Sequence, residues 1–482
     1  MDEKYSSPFF FSFIFLISFS FSFSLELETY VPNSLPKPNS LCPNKSWAVK
    51  AQAQAEAQNM SKLQNSTIIN LALRLEHVDA LVSGLSSEEL LSLQLKRDAA
   101  RASYIFARAG ELDLSFHRRG NLSLDLTGSV MPFYGGYATR IGIGTSPRYM
   151  NVILDTGGQV NWVQCLPCQK CYSQVDQIFD PTQSTSFGTF TCRSKVCRRL
   201  PESKCIRRTK TCGYQVTYED GSFSNGEYGR ETMTFEGVKF ENVAFGCGHE
   251  NVDHSGPNHY LAGVLGLSWG KLSFISQIRD RFGYKFSYCL ADRFNSSQSS
   301  SIVFGSTWVS PKTVYTPLIN KDGLYHVKLE GFSVGGVRVP GIKSKYFKID
   351  FWGRGGVIID SSMTTTLLTQ PVYIALRDAF RAATWSLKYA RGTSYFDTCY
   401  QFSGDSVSQF RVPTVVMHFK DADVSLRANN LLIPISDSGR YCFAFRSTNS
   451  KMSIIGNMQQ QGIRVVYDLE QELIGFDPMT CA

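Results

Sequence analysis

Beyond residue 25 the chain has no apolar run long enough to span a bilayer, and Gly475 to Ala482 holds no hydrophobic tail of the kind a lipid anchor needs. A C-terminal retention signal is also missing. Charged residues are sparse, 19% against 43% hydrophobic over 482 residues, and no glycine repeat runs through the chain, which excludes a disordered or collagen-like protein. Histidine is scarce too. Three of the seven, His249, His254 and His259, recur at intervals of five, a spacing that does not align ligands on a helix face. Gly256-Pro257 interrupts that stretch, so a loop rather than a zinc site is expected there.

Cysteine, by contrast, is plentiful. Thirteen in one chain point to an oxidising, secretory compartment and to disulfides as the default state. The first 25 residues agree: Pro8 to Leu25 is an uncharged run of Phe, Ser, Ile and Leu, followed at once by Glu26 and Glu28. A cleaved signal peptide over 1–25 is the expected reading, with a membrane anchor the alternative, and the mature protein should be soluble. Such a signal fixes entry into the secretory pathway. An extracellular or apoplastic destination is expected, with vacuole and endoplasmic reticulum as alternatives.

Residues 26–125 are poor in glycine and aromatics and hold one cysteine, Cys42. Within them Ser86 precedes Glu89 by three residues, a capping-box signature, and Leu90, Leu91, Leu93, Leu95, Ile105 and Phe106 follow among Lys96, Arg97, Arg101 and Arg108. One basic amphipathic helix is predicted, either a solvated linker helix or part of a propeptide whose cations cover an acidic site. From about residue 126 the pattern turns to short β-rich runs such as Thr139 to Gly144, Val152 to Leu154, Glu231 to Phe235, Tyr325 to Val334 and Ile463 to Tyr467. The main helical pattern there is Pro371 to Ala383. The fold class is therefore mostly β.

Two segments copy each other. Val152-Ile153-Leu154-Asp155-Thr156-Gly157 and Val357-Ile358-Ile359-Asp360-Ser361-Ser362 are each an apolar strand ending in Asp and a small hydroxylated residue. Downstream of each lies an apolar-glycine turn, Gly263-Val264-Leu265-Gly266-Leu267 and Ser453-Ile454-Ile455-Gly456-Asn457. Two buried carboxylates meeting at a pseudo-twofold axis would share one proton. Such a pair can hold a water between them, one Asp taking its proton during attack on a carbonyl and the other polarising the carbonyl oxygen.

With these residues the region from about Tyr137 to Cys481 resembles the pepsin-type aspartic endopeptidases, in their plant nepenthesin-like branch and most of all the guard-cell aspartic protease group. The motifs behind the resemblance are Asp155-Thr156-Gly157 with Trp162-Val163-Gln164-Cys165, then Cys168 and Cys171, Tyr214 to Phe223, Phe245-Gly246-Cys247-Gly248-His249, and Ile454 to Gln461. Lys96-Arg97-Asp98-Ala99-Ala100-Arg101 also fits the group. The resemblance implies a bilobal fold of two β-rich lobes around a cleft, residues 126–318 and 319–482, behind a propeptide over 26–125. Asp155 and Asp360 would be the catalytic dyad, and Tyr218 a flap tyrosine whose hydroxyl Trp162 can hold. Thr156, Gly157, Ser361, Ser362 and Thr364 would complete the substrate-binding floor. A peptide or protein substrate is implied, with no cofactor, no metal, no nucleic acid, no membrane partner once the signal is gone, and a monomeric state.

Three positions depart from the family pattern. Gly158 stands where a serine follows the first motif, Ser362-Met363 where Gly-Thr follows the second, and Glu219 follows the flap tyrosine in place of glycine. Loss of both hydroxyls should raise the dyad's macroscopic pKa values and loosen its geometry. A slow acid protease is the first reading; a catalytically weak protease-shaped binding or inhibitor protein is the alternative.

Twelve cysteines outside the propeptide allow six bridges. Cys165, Cys168 and Cys171 are expected to join Cys192, Cys197, Cys205 and Cys212 in stapling an exposed insertion. Asn295, with Asn44, Asn59, Asn65 and Asn121 upstream, opens a glycosylation acceptor. The charge excess, 49 basic against 41 acidic residues, concentrates in Cys192 to Cys212, where Arg193, Lys195, Arg198, Arg199, Lys204, Arg207, Arg208 and Lys210 face Glu202 alone. That patch reads as a solvated or wall-polymer-facing surface rather than a nucleic-acid site.

Overall fold

The computed structural model describes residues 70–81, 85–111, 136–218, 222–252, 261–291, 299–402, 411–436, 438–479 and 481. The expected signal peptide over 1–25, Cys42, the five expected glycosylation acceptors, Glu219, His254 and His259 lie outside the described residues. Strands dominate, as the punctuated β pattern predicts. The strand expected over Tyr325 to Val334 is two, Leu324–Val327 and Leu329–Val334, in different sheets.

Each half of the repeat builds the same unit. Arg148–Asp155 runs parallel to Gly263–Gly266, with Asp155 opposite Gly266. Gly356–Ile359 runs parallel to Met452–Ile455, so that Asp360 follows directly on a strand end matched in register. In both units the glycine turn then crosses a third strand: Val264 pairs with Trp162, and Ile454 with Leu367. Residues 152–155 and Gly356–Ile359 are buried on both faces, which explains their unbroken Val, Ile and Leu content. Their aspartates are delivered from a rigid floor.

Beneath the two units six antiparallel strands form a common platform in the order Asn70–His77, Ser300–Gly305, Lys285–Cys289, Arg464–Asp468, Leu473–Asp477, Val314–Lys321. Its aromatic core stacks Phe286 on Tyr467 at 4.4 Å, with the Tyr288 and Tyr467 hydroxyls 3.0 Å apart. The edge strand Asn70–His77 lies within residues 26–125, the expected propeptide, where a helix is the one element predicted. Its Leu71, Leu73, Leu75 and His77 alternate inward, a period of two that specifies a strand.

The predicted helix spans Ser87–Arg108, and Ser86 and Glu89 form the capping box at its start. It is not a solvated helix: Leu91, Leu95, Ala102 and Ile105 share their buried face with Gln94, Arg97, Asp98 and Arg101. Gln370–Ala383 matches the second helical prediction, and Phe274–Phe282 is a further helix. No helix among the described residues is long and apolar enough to cross a membrane.

All twelve cysteines beyond residue 125 pair, but not all in the insertion. Cys165 reaches out to Cys247 and Cys168 closes locally on Cys171, leaving Cys192–Cys205 and Cys197–Cys212 as the insertion's own bridges. Seven is an odd number, so at least one of the expected staples had to leave the group. Cys289–Cys481 and Cys399–Cys442 complete the six.

One buried base makes this fold acid-sensitive. His326 pairs across to Ile358, two residues before Asp360, and neither ring nitrogen makes a hydrogen bond. Burial, reinforced by Lys321, pushes its pKa down to about 4 from 6.5. The folded state thus holds the ring neutral. The stability this carries is complete above pH 6.5 and is lost as pH falls from there to about 4, a change of about 3 kcal/mol. His326→Leu should remove that slope in denaturant titrations at pH 7 and pH 4; a variant as pH-dependent as the parent would contradict the assignment.

Candidate active site

Asp155 and Asp360 are both 1% exposed and lie at the ends of the two motif strands. Backbone amides hold the inner carboxylate oxygens. Gly157 N–H donates to Asp155 Oδ1 at 2.8 Å, and the Ser362 and Met363 N–H groups donate to Asp360 Oδ1 at 2.8 and 3.0 Å. The loops behind the aspartates are tied across the halves. Ser361 N–H donates to Thr156 Oγ1 at 2.9 Å, and the two hydroxyls lie 3.2 Å apart. Ser362, where the family pattern has glycine, uses its extra hydroxyl to donate to the Leu154 carbonyl at 3.2 Å. The substitution thus adds a cross-link between the halves.

The outer carboxylate oxygens meet a cation. Arg101, fully buried, inserts its guanidinium between the aspartates: Nη2 donates to Asp155 Oδ1 and, at 2.7 Å, to Asp360 Oδ2, while Nη1 lies 3.2 Å from Asp155 Oδ2. Burial opposes the guanidinium's charge, but attraction from Asp155 and Asp360 outweighs it and raises the Arg101 pKa above its ordinary value. The hydroxyls missing at positions 158 and 363 therefore leave no vacancy here, because Arg101 supplies donors to the outer oxygens. A side chain at Gly157 would collide with this guanidinium, and a Cβ at Gly158 would come within 2.5 Å of Asp155 Oδ2. Met363 is fully buried in an apolar cluster with Ala102, Ile105, Phe106, Leu367 and Ile454. It exchanges a hydroxyl for packing against the helix.

Three further residues fix that helix over the floor. One turn before Arg101, Asp98 accepts from Thr364 N–H at 2.7 Å, Thr365 N–H at 2.8 Å and the Thr365 hydroxyl at 2.7 Å. Burial pushes the Asp98 carboxyl up, against the pull of Arg446 and these donors. Beyond the last turn, Glu111 accepts from Gly355 N–H, from the Ser450 hydroxyl at 3.3 Å and from Lys451 N–H at 3.2 Å. Arg108 meanwhile donates to the Gly157 and Asp322 carbonyls, one from each half.

Tyr218 closes the other side. It follows Thr211–Thr217, whose partner strand returns at Phe223, and its N–H donates to the Ser222 carbonyl at 2.9 Å. Trp162 Nε1–H donates to the Tyr218 hydroxyl at 3.3 Å, and Tyr104 of the helix lies 5.5 Å from the Tyr218 ring. Burial raises the Tyr218 phenol well above its ordinary pKa, with Tyr104 adding to the effect. Between helix and hairpin a cavity of about 300 Å³ remains, bounded by Tyr104, Arg108, Asp155, Gly158, Gln215 and Tyr218.

The predicted site residues thus converge, and Thr364 is held to the helix by its N–H donating to Asp98. The sequence reading singled out neither Arg101 nor Asp98 individually. Their signal was a charged pair three residues apart on the helix face that also carries Leu91, Leu95, Ala102 and Ile105.

Against known proteins, two family models match, described as xylanase inhibitor N-terminal over residues 137–306 and xylanase inhibitor C-terminal over 324–478. Aspartyl protease family protein 2 of Arabidopsis thaliana is 48% identical over 420 residues, covering 86% of each chain. Protein aspartic protease in guard cell 2 of the same plant is 37% identical, covering 88% of this chain and 90% of its own. Aspartic proteinase nepenthesin-1 of Nepenthes gracilis is 34% identical, covering 86% and 91%. Among solved structures, that of edgp matches with a TM-score of 0.58 at 19% identity, over 72% of this chain and 92% of its own. Conglutin gamma, a basic 7S globulin from lupine seeds, matches at 0.55 and 21%, over 71% and 91%. These two share the fold. With both halves matched and relatives covered along most of their length, this chain belongs to the plant aspartyl protease family that includes the nepenthesins.

Proposed function

We propose that the protein is a secreted aspartic endopeptidase, made as a zymogen and active in acid. The observation that carries this reading is the pair of buried carboxylates at the ends of duplicated strands, both bound by the guanidinium of Arg101. With Arg101 withdrawn, like charges this close cannot both stay ionised, so the pair retains one proton. A water between them loses a proton to the ionised carboxylate as its oxygen attacks the peptide carbonyl carbon. The protonated partner donates to the carbonyl oxygen, and the resulting diol collapses as a proton passes to the departing amide nitrogen. No covalent intermediate is required. Tyr218, poised by Trp162, shields the site from solvent.

Arg101 blocks this chemistry in two ways. It fills the space between the carboxylates, and its charge removes the need for the shared proton. Acid that protonates either carboxylate leaves a buried guanidinium short of a counter-charge, which is costly. The helix would then leave and the segment before about residue 125 would be cut away. The strand Asn70–His77 complicates that boundary, since its removal opens the Ser300–Gly305 edge of the platform. A binding-protein role, which the names of the family models would invite, is not favoured: relatives 34–48% identical carry protease names, and both aspartates are in place.

Arg101→Gln should cost the helix about 3–5 kcal/mol of anchoring by leaving the carboxylates unpaired, read as amide exchange over residues 87–108 at least a hundredfold faster in the full-length chain. Unchanged exchange would refute the clamp. Once the helix segment has been released, the protein should cleave denatured globin at about pH 3 to 6, the range in which a shared-proton dyad works. Pepstatin should block the cleavage and Asp155→Asn should abolish it without altering the fold. A correctly folded protein that neither cleaves nor binds pepstatin would overturn the enzyme reading.

A further inference from the structure

The charge excess of this protein belongs to one short stretch. Basic residues outnumber acidic ones by 49 to 41 in the whole chain, and by 41 to 40 once residues 192–212 are set aside. All eight cations of that stretch are exposed, and none of their side chains has an ion-pair or hydrogen-bond partner among the described residues. Arg198 and Arg199 sit on the short 3-10 turn Cys197–Arg199. Arg207, Arg208 and Lys210 occupy the loop of the hairpin that pairs Ser203–Ile206 with Thr211–Thr217. Cys192 N–H donates to the Lys210 carbonyl at 3.2 Å, which brings Arg193 beside that loop.

The two bridges hold this surface rigid. Cys192–Cys205 and Cys197–Cys212 staple the turn and the hairpin together, and Cys197 and Cys212 are buried in an apolar cluster with Leu200, Tyr214 and Tyr228. A backbone fixed before binding lowers the ordering cost that a loose basic loop would carry. Charge is also segregated within the insertion. Glu202, its one acidic residue, borders the cavity under Tyr218 together with Pro201, against eight cations elsewhere in the insertion.

We propose that this stapled insertion is a binding surface for an acidic polysaccharide of the polyuronate class, which would hold the protein on a polyanionic matrix with its cleft close by. Clustered, exposed cations without internal partners gain most from a regularly charged polymer. A membrane fits poorly, since no large hydrophobic side chain within residues 192–212 is exposed to enter a bilayer. A nucleic acid fits poorly as well: the nearest aromatics, Phe190 and Tyr214, are partly or fully buried and cannot stack on bases. Six disulfides, moreover, suit an oxidising compartment.

The inference does not depend on proteolysis, and its test does not read it. The full-length protein is run by affinity electrophoresis through gels containing polygalacturonate, with neutral dextran as the blank and with DNA and phosphatidylserine vesicles as rival ligands. Retardation by polygalacturonate alone is expected, weakening at least tenfold as salt rises from about 50 to 200 mM. Combining Arg193→Gln, Arg198→Gln, Arg199→Gln, Arg207→Gln, Arg208→Gln and Lys210→Gln should weaken it at least tenfold with thermal unfolding unchanged. The pair Arg207→Gln and Arg208→Gln should give a partial loss, Arg207→Lys with Arg208→Lys none. Mobility no different from the dextran gel, undiminished binding by the neutralised variants, or tighter binding to DNA or vesicles would overturn the proposal.

Discussion

A single buried guanidinium organises the centre of this molecule. Arg101 is fully buried and shared between two carboxylates that belong to different halves of the chain. Taking three charges out of water is expensive, and a buried ion cluster of this kind contributes less to stability than its distances imply. Its value lies in what happens when one member changes. Either aspartate alone would leave the cation undercompensated, and without the cation the aspartates could not both remain charged. In the intact chain the helix therefore plugs the site through this one side chain.

The rest of the fold serves to bring these groups to one point. Parallel pairing of each motif strand with its glycine turn fixes both aspartates on the backbone, and the Thr156 to Ser361 contacts lock the two loops to one another. The six-stranded platform draws strands from both halves and from the segment before residue 111. That segment is thus bound twice, as an edge strand below and as a helix above. Met363, an oddity in the motif, makes sense in this setting, since it buries against the helix whose arginine replaces the missing hydroxyl donors.

How much of this was legible in the sequence differs by element. Asp155 and Asp360 stood out because duplication doubles a weak signal, and Trp162 and Tyr218 because their surroundings match a family. The Ser87–Arg108 helix was visible from its cap and periodicity, but its orientation was not. Lys96, Arg97 and Arg101 look alike in a sequence, and only packing distinguishes the exposed lysine from the buried arginines. The strand Asn70–His77 was readable in its alternating leucines yet lacks the Gly and Asp punctuation that marks the other strands. Disulfide partners were out of reach, because connectivity depends on which loops the fold brings together, and Cys165 meets Cys247 across 82 residues.

The most direct test of the central claim is whether the cleft is closed by Arg101 in the intact chain. Calorimetric titration with pepstatin should show no binding to the full-length protein, and one-to-one binding after the segment carrying the Ser87–Arg108 helix has been cut and removed. Equal affinity for pepstatin before and after removal would mean that the guanidinium does not occupy the space between Asp155 and Asp360, and the account would fail.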